Sequence, residues 1–169
     1  MIPCESCKAS CCKVYDVFID HQDIKKMFDI TSGFSFTKKV KYENQFGYVP
    51  KFKLWENNKK NYWVLCLSNP NKVCSFLKND KCSIYENRPL ICKSYPHILV
   101  GNKVIEIKNP CPIKWTLTDD KKNQIELDYT QLLLNFLIFQ TICDDWNKIV
   151  TKEDKLENFL IFVNQYKLN

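Results

Sequence analysis

Cysteine is the residue type in this chain best suited to do chemistry, and ten cysteines occur in 169 residues. Four open the chain in a C-x-x-C-x-x-x-C-C pattern, and four more are spread widely after them. These eight residues are Cys4, Cys7, Cys11, Cys12, Cys74, Cys82, Cys92 and Cys111. Thiols gathered at short spacing form a disulfide framework, bind zinc or hold an iron–sulfur cluster. The pattern therefore predicts either cystines or a metal centre.

Length and composition favour a metal over cystines. A chain of 169 residues can bury a core without disulfide staples, and 45% hydrophobic with 26% charged residues is typical of a globular protein. The first eight residues do not resemble a signal peptide, and the longest apolar run, residues 132–139, is too short to span a bilayer. We therefore expect a cytoplasmic protein without a membrane partner, whose reduced thiols bind metal.

The spacing leaves the identity of the metal open. The order of the first cysteines is the reverse of the C-x-x-x-C-x-x-C used by radical S-adenosylmethionine enzymes, and ferredoxin runs also differ. Zinc ribbons use two C-x-x-C knuckles, and this chain has one. Cys11 and Cys12 would diverge in an extended chain, so they could serve two sites. We favour an iron–sulfur cluster, [4Fe–4S] in particular, and keep Zn²⁺ as the alternative.

Arg88 is the only arginine among 25 basic residues, and it lies between Cys82 and Cys92. A guanidinium makes planar, bidentate and permanently charged contacts that lysine cannot make. We expect Arg88 to bind the cofactor by neutralising its charge, or to hold a carboxylate such as Glu86. Pro89 suits the first turn of a short helix that carries Cys92.

The combined pattern resembles the YkgJ-like family, a zinc- or iron-chelating family known by a CxxCxxxCC motif. The resemblance covers residues 4 to about 112 and rests on the first four cysteines, Cys74-Ser-Phe-Leu, Cys82-Ser-Ile-Tyr, Arg88-Pro-Leu-Ile-Cys92 and Tyr95-Pro96. It implies that the eight cysteines above are the family cysteines and that metal ions or clusters are the partners. Flagellin lysine-N-methylase is distantly similar, which implies an S-adenosylmethionine-dependent protein-lysine methyltransferase as an alternative. Whether the protein is an enzyme stays open.

The charge of the chain gives little support to nucleic acid as a partner. The formal net charge is +6, but two four-thiolate centres of about −2 each would leave about +2. Lysines and aromatic residues are not visibly interleaved, and three isolated glycines allow neither G-x-G-x-x-G nor a phosphate loop. A zinc-stapled interaction or nucleic-acid adaptor is therefore only a further alternative.

The residue pattern predicts an α+β fold with a small cysteine-rich core of short strands and two C-terminal amphipathic helices. Strands are expected at 14–19, around 52–54 and 62–64, and at 104–107. Helices are expected from His21 to Asp29 behind an Asp20 cap, at 126–150 and at 152–166. Residues 1–115 would form the metal-binding domain and residues 116–169 a helical extension packed on it, with a possible protein-partner surface.

Four residues outside the cysteine pattern complete the expectations. Cys66 and Cys143 lie in apolar segments and are expected to be small buried hydrophobes. His21 is expected to be exposed. His97 is expected to be an ordinary loop residue, with a role at the metal as the alternative.

Overall fold

The fold is described from a computed structural model for residues 9–44, 48–101, 103–107, 111 and 116–167. The chain divides into two compact units. The first, here the cysteine unit, comprises Met1–Val17 and Ser68–Leu133; the second, here the sheet unit, comprises Phe18–Leu67 and Leu134–Asn169. Small antiparallel sheets and long C-terminal helices confirm the predicted α+β class.

The strands are β1 (Thr37–Lys41), β2 (Phe52–Glu56), β3 (Lys59–Leu67), β4 (Leu77–Lys78), β5 (Lys81–Cys82), β6 (His97–Val100) and β7 (Lys103–Glu106). The helices are α1 (His21–Thr31), α2 (Leu90–Ser94), α3 (Asp119–Ile149) and α4 (Leu156–Gln165). By the division above, α3 belongs to the cysteine unit up to Leu133 and to the sheet unit from Leu134. No helix in the described part of the chain combines the length and apolar character that crossing a membrane requires.

The sheet unit is built on a three-stranded antiparallel sheet in the order β1-β3-β2. Asn57 and Asn58 join β2 to β3 with φ angles of 52° and 60°, the left-handed conformation that a tight hairpin turn needs and that asparagine tolerates. Phe52 of β2 stacks on Phe159 of α4 with ring centroids 3.8 Å apart, and neither ring is exposed. This face of the sheet therefore forms part of the core.

Helix α1 begins where the sequence predicts, at a capped Asp20. Its carboxylate accepts hydrogen bonds from the backbone N–H groups of Gln22 and Asp23, and the Asp23 side chain accepts from the Asp20 N–H. Asn135 of α3 donates to the second oxygen of Asp20 over 2.9 Å. Because these bonds satisfy N–H groups that have no partner within the helix, they fix its start.

The cysteine unit contains two short antiparallel ribbons, β4–β5 and β6–β7, and the one-and-a-half-turn helix α2. Asn79 and Asp80 turn the first ribbon with φ angles of 49° and 57°. Helix α3 begins at Asp119, earlier than the predicted residue 126, because Thr118 Oγ1 accepts from the backbone N–H of Lys121 and extends the helix towards the N-terminus.

The structure corrects two expectations. Residues 14–19 do not form a strand: Phe18 makes an isolated bridge to Cys66, while the Val14 and Tyr15 side chains are exposed. His21 was expected to be exposed but is buried, with 1% of its surface accessible and its ring near that of Phe139. The proposed boundary near residue 115 stays a prediction.

Candidate metal centre

Three polar links hold the first cysteine segment against the second within the cysteine unit. The backbone N–H of Cys74 donates to the carbonyl of Cys12 over 2.8 Å. Lys13 Nζ lies 2.7 Å from Asp80 Oδ1, and Asn69 Nδ2 donates to Asp16 Oδ1 over 2.7 Å. Because the links join residues more than 50 positions apart, they bring the two cysteine blocks together at a cost in chain entropy.

The β4–β5 ribbon places Cys74 and Cys82 at its open end. Leu77 N–H donates to the carbonyl of Cys74 over 2.9 Å, and Leu77 lies opposite Cys82 in the ribbon. The Ser83 N–H and hydroxyl both donate to the carbonyl of Phe76, which extends the pairing beyond the strands. The tight turn thus fixes two cysteines that are eight positions apart in sequence.

Helix α2 carries Cys92, as the sequence predicts. Pro89 is its N-cap residue, and the Cys92 N–H donates to the carbonyl of Pro89 over 2.9 Å. Proline suits this position because its φ is already restricted to the value required there and the missing N–H costs nothing.

Cys11 and Cys12 form a hydrogen-bonded pair of thiols. The segment Ser10–Lys13 is a 3-10 helix, so the divergence expected for an extended chain does not apply, and whether the two residues serve one site or two stays a prediction. The hydrogen bond from Cys12 lowers the pKa of Cys11 to about 7, with a smaller contribution from the charge of Arg88. The same bond, with burial and the charges of Cys11, Cys74 and Cys92, raises the pKa of Cys12. The pair therefore favours a state in which one of the two thiols is ionised and accepts a hydrogen bond from the other.

The remaining described family cysteines affect the pKa values of residues close to Cys11 and Cys12. Burial raises the pKa of Cys74, and the charges of Cys82 and Cys11 add to the shift. Burial also raises the pKa of Tyr95, with smaller contributions from Tyr15, Cys11 and Cys111. The charge of Cys92 also acts on the pKa of Cys12. Each of the six described family thiols therefore influences, or responds to, a neighbouring residue; they are Cys11, Cys12, Cys74, Cys82, Cys92 and Cys111.

Arg88 carries donors that nothing in the described structure accepts. Its guanidinium carbon lies 3.7 Å from the centre of the Tyr85 ring, and its Nε and Nη1 atoms are buried without a hydrogen-bond partner. Glu86, the carboxylate suggested from the sequence, is exposed and accepts from neither atom. Buried donors of a charged group are costly to leave unpaired, and the charge of Arg88 reaches Cys11, so these donors suit an anionic acceptor.

The chemistry of these residues suits a thiophilic metal, although the side chains do not form a complete coordination shell. Within the described ranges, no group of three or more His, Cys, Asp or Glu side chains is arranged to hold a metal ion. Cys4 and Cys7 lie outside those ranges. Thiolates are preferred ligands of zinc and of iron–sulfur clusters, and such centres are anionic, as the buried guanidinium requires.

Most of the chain matches the model of a known protein family. Residues 3–125 match the model of the family described as "CxxCxxCC: Putative zinc- or iron-chelating domain". The chain belongs to this family. Its first motif has three residues between Cys7 and Cys11, one more than the short family name writes. No curated protein and no solved structure matches the chain.

The two cysteines outside the cysteine pattern of the first motif and its four followers lie in the core. Cys66 in β3 and Cys143 in α3 have no accessible surface, as expected for small core residues, and burial raises the pKa of Cys143. His97 lies in β6 and is buried, not in a loop; burial lowers its pKa, against the opposing charge of Glu106.

Sequence reasoning missed two residues beside the family cysteines. The Tyr15 ring packs edge-on against that of Tyr95 with centroids 5.6 Å apart, and Lys13 makes its ion pair with Asp80. Their sequence neighbours carry no signal for either contact, because each partner lies more than 60 positions away.

Proposed function

We propose that this member of the zinc- or iron-chelating family is a cytoplasmic protein that holds one or two metal centres through its family cysteines, with a [4Fe–4S] cluster as the resident group. The ligands are drawn from Cys4, Cys7, Cys11, Cys12, Cys74, Cys82, Cys92 and Cys111. Arg88 binds beside the centre as the cationic donor of hydrogen bonds to sulfur.

The observation that carries this proposal is that Arg88 has two buried donors without a partner among the described residues, while its charge acts on Cys11. A neutral thiol is a weak acceptor and does not compensate a buried guanidinium. Thiolates bound to a metal keep a net negative charge, which the guanidinium neutralises at close range. The same contacts would favour the thiolate forms that a metal requires.

The chain's own residues supply the remaining properties of the site. The half-buried cysteines limit access of water, and the Tyr85 ring holds the Arg88 guanidinium in place from one side. When bound, an iron–sulfur cluster supplies one-electron chemistry, whereas zinc supplies structural stabilisation. Donors directed at sulfur raise the reduction potential of a cluster, and Arg88 would supply such donors.

The donor set favours iron–sulfur over zinc. Of the described family cysteines, Cys11 and Cys12 share one 3-10 segment, Cys82 ends β5 and Cys92 lies in α2. Cys74 and Cys111 lie outside the helices and strands, and none of these six forms a C-x-x-C knuckle. His97, the histidine of this unit, is under the influence of Glu106 and Lys121 rather than of the cysteines. An all-sulfur set gathered from scattered segments suits a cubane cluster, and zinc is the alternative outcome of the experiment below.

Anaerobic purification followed by metal analysis and a visible spectrum tests the proposal. We expect brown protein with iron and acid-labile sulfide in equal amounts. Colourless protein with stoichiometric zinc would replace the cluster by zinc, and purified protein that binds neither metal on reconstitution would refute the metal centre.

A matched pair of variants links the metal to the proposed ligands. Cys74→Ala removes a half-buried family cysteine and should reduce the metal content by at least half. Cys143→Ala removes a fully buried cysteine of α3 and should leave the metal content unchanged. Equal metal loss in the two variants would show that the proposed ligand set is wrong.

The amphipathic pattern of the C-terminal helices is the basis for the earlier expectation of a protein partner. Leu127, Leu133, Leu134 and Leu137 are each about half exposed or more. The expectation remains a prediction, because large apolar side chains also occur singly on ordinary surfaces.

A further inference from the structure

Positive charge is concentrated in one segment of the sheet unit, residues 37–62. Residues 37–62, which contain β1, β2 and most of β3, hold seven lysines and two glutamates, and this segment therefore accounts for +5 of the net +6. Binding metal in the cysteine unit does not reduce this local charge. The net charge of the whole chain gives only weak support for a polyanionic partner, and it therefore underestimates the positive charge available on this segment.

The register of the sheet brings lysines and aromatic rings onto one face. Lys53 lies opposite Tyr62, and Trp55 lies opposite Lys60; residues opposite each other on paired strands share a face. The Tyr42 N–H donates to the carbonyl of Tyr62, which continues the β1–β3 pairing. We call this the lysine–aromatic face; its residues are Tyr42, Lys51, Lys53, Trp55, Lys60 and Tyr62.

The other face of β2 carries core residues, whereas the residues of the lysine–aromatic face are exposed or half-buried. Farther along β3 the same face continues into Val64 and Cys66, which are buried. Phe52 and Leu54 alternate with Lys53 and are buried, with Phe52 stacked on Phe159. On the opposite face 42% of the Tyr62 side chain is accessible. The Tyr62 ring is therefore exposed, whereas the Tyr42 and Trp55 residues are half-buried.

Ammonium groups lie on these rings at short range. Lys51 Nζ is 4.3 Å from the centre of the Tyr42 ring and 5.3 Å from that of Tyr62, and Lys53 Nζ is 5.0 Å from the Tyr62 ring. Lys60 lies 5.3 Å from the Trp55 ring, and Lys152 of the loop before α4 lies 5.2 Å from it. Rings and cations thus alternate across the face.

Few carboxylates oppose these cations. In the described part of the chain, Lys51, Lys53, Lys60 and Lys152 form no ion pair with a carboxylate, whereas the Glu56 carboxylate is paired with Lys39 over 3.3 Å. Gln140 Nε2 donates to the Asp144 carboxylate, and Gln140 Oε1 accepts from the backbone N–H of Lys51, the residue before β2. The face therefore keeps an excess of positive charge.

We propose that the lysine–aromatic face binds single-stranded nucleic acid. Lysines neutralise phosphates and release counterions, and exposed rings provide surfaces on which unpaired bases stack. The lysines have flexible stems, so an ammonium group that rests on a ring in the free protein moves to a phosphate when a base takes its place. Sheet-borne aromatic residues that stack two or three bases are an established way of binding single strands.

The rings distinguish this partner from others with negative charge. An acidic protein or an anionic membrane surface needs the lysines, and a duplex presents phosphates while its bases stay stacked inside the helix. Only an unpaired strand uses the charge and the planar surfaces of Tyr42 and Tyr62 together. Binding that depends on the Tyr62 ring is therefore the property to measure.

Fluorescence anisotropy of the full-length, metal-loaded protein with a labelled single-stranded oligonucleotide of about 15 residues tests the proposal, at about 50 and 200 mM salt. We expect the paired substitution Lys51→Gln and Lys53→Gln to weaken binding at least about fivefold and to reduce the salt slope by about 1.4. Tyr62→Ala should weaken binding at least about fivefold, and Tyr62→Phe, which keeps the ring, should not.

Lys26→Gln with Lys103→Gln is the matched control, because it removes the same charge from exposed positions on α1 and β7. It should change affinity less than about twofold. Metal content and thermal unfolding of every variant show that the fold is retained.

Three results would overturn the proposal. One is no binding at the lower salt concentration, and another is an equal loss in the control and in the face variants. The third is that the protein binds duplex or anionic vesicles as tightly as the single strand, and that Tyr62→Ala leaves the affinity for the single strand unchanged. The face would then bind through charge alone.

Discussion

Replacing Arg88 by methionine should change stability in opposite directions in the metal-free and metal-loaded protein. In the metal-free protein, the buried Nε and Nη1 donors have no acceptor among the described residues. Each unsatisfied buried donor costs about 1–3 kcal/mol, whereas the contact with the Tyr85 ring returns about 0.5–2 kcal/mol. Methionine fills similar volume without donors. The free energy of unfolding of the metal-free protein should therefore rise by about 1–3 kcal/mol.

The metal-loaded protein should respond in the other direction. Hydrogen bonds from a guanidinium to an anionic acceptor contribute about 1.5–3 kcal/mol each, and the substitution removes two donors. We expect Arg88→Met to weaken metal binding at least about 100-fold, which corresponds to about 2.7 kcal/mol. Arg88→Lys keeps the charge without the planar fork and should lie between wild type and Arg88→Met.

Two measurements under anaerobic, reducing conditions check this prediction. Urea unfolding of chelator-treated and metal-loaded protein gives the two stabilities, and competition with a chromophoric chelator gives the metal affinity. Lys93→Met, on the exposed side of α2, is the control that removes one positive charge without a buried donor. If Arg88→Met destabilises the metal-free protein and leaves metal affinity at the wild-type value, Arg88 is a structural residue and our reading of its donors is wrong.

Three further predictions concern the sheet unit. Asp20→Ala should lower the free energy of unfolding by about 2–4 kcal/mol in urea titrations, because it removes the α1 cap and leaves the Asn135 donor buried without an acceptor; a loss below about 1 kcal/mol would contradict this account. Cys66→Ala should cost about 1 kcal/mol and leave metal content unchanged by elemental analysis, whereas loss of metal would place Cys66 in the site. Burial lowers the pKa of His21, so below about pH 6.5 the unfolded chain binds a proton that the folded chain does not bind. The free energy of unfolding should therefore fall by at most about 1.4 kcal/mol per pH unit below that point. His21→Gln should flatten this pH profile, and an unchanged pH dependence in the variant would refute the assignment.

Local patterns allowed several elements to be predicted with few errors. The start of α1 at Asp20, the turn between β2 and β3, and the short helix behind Pro89 each depend on residues within four positions of one another. Caps, tight turns and the two- or 3.6-residue periods act over that range, so the sequence contains their whole cause. The burial of Cys66 and Cys143 was predictable for the same reason.

Errors occurred where a partner lies far away in sequence. His21 follows a cap and looks like a surface residue, yet packing near Phe139 of α3, more than 100 positions later, buries it. Residues 14–19 alternate like a strand, but in the described structure only Phe18 finds a bridge. Periodicity records what a segment can pair with, and chain topology decides whether a partner is present.

The sequence by itself determined the family, because the cysteine spacing and the only arginine are properties of residue type and order. Only the tertiary structure brought Cys12 to Cys74, left the Arg88 donors without an acceptor, and combined lysines and rings into one face. The physical reason is that hydrogen bonds and ring contacts act over a few ångströms. The folded chain brings residues dozens of positions apart within that distance, and residue order alone does not record which ones meet.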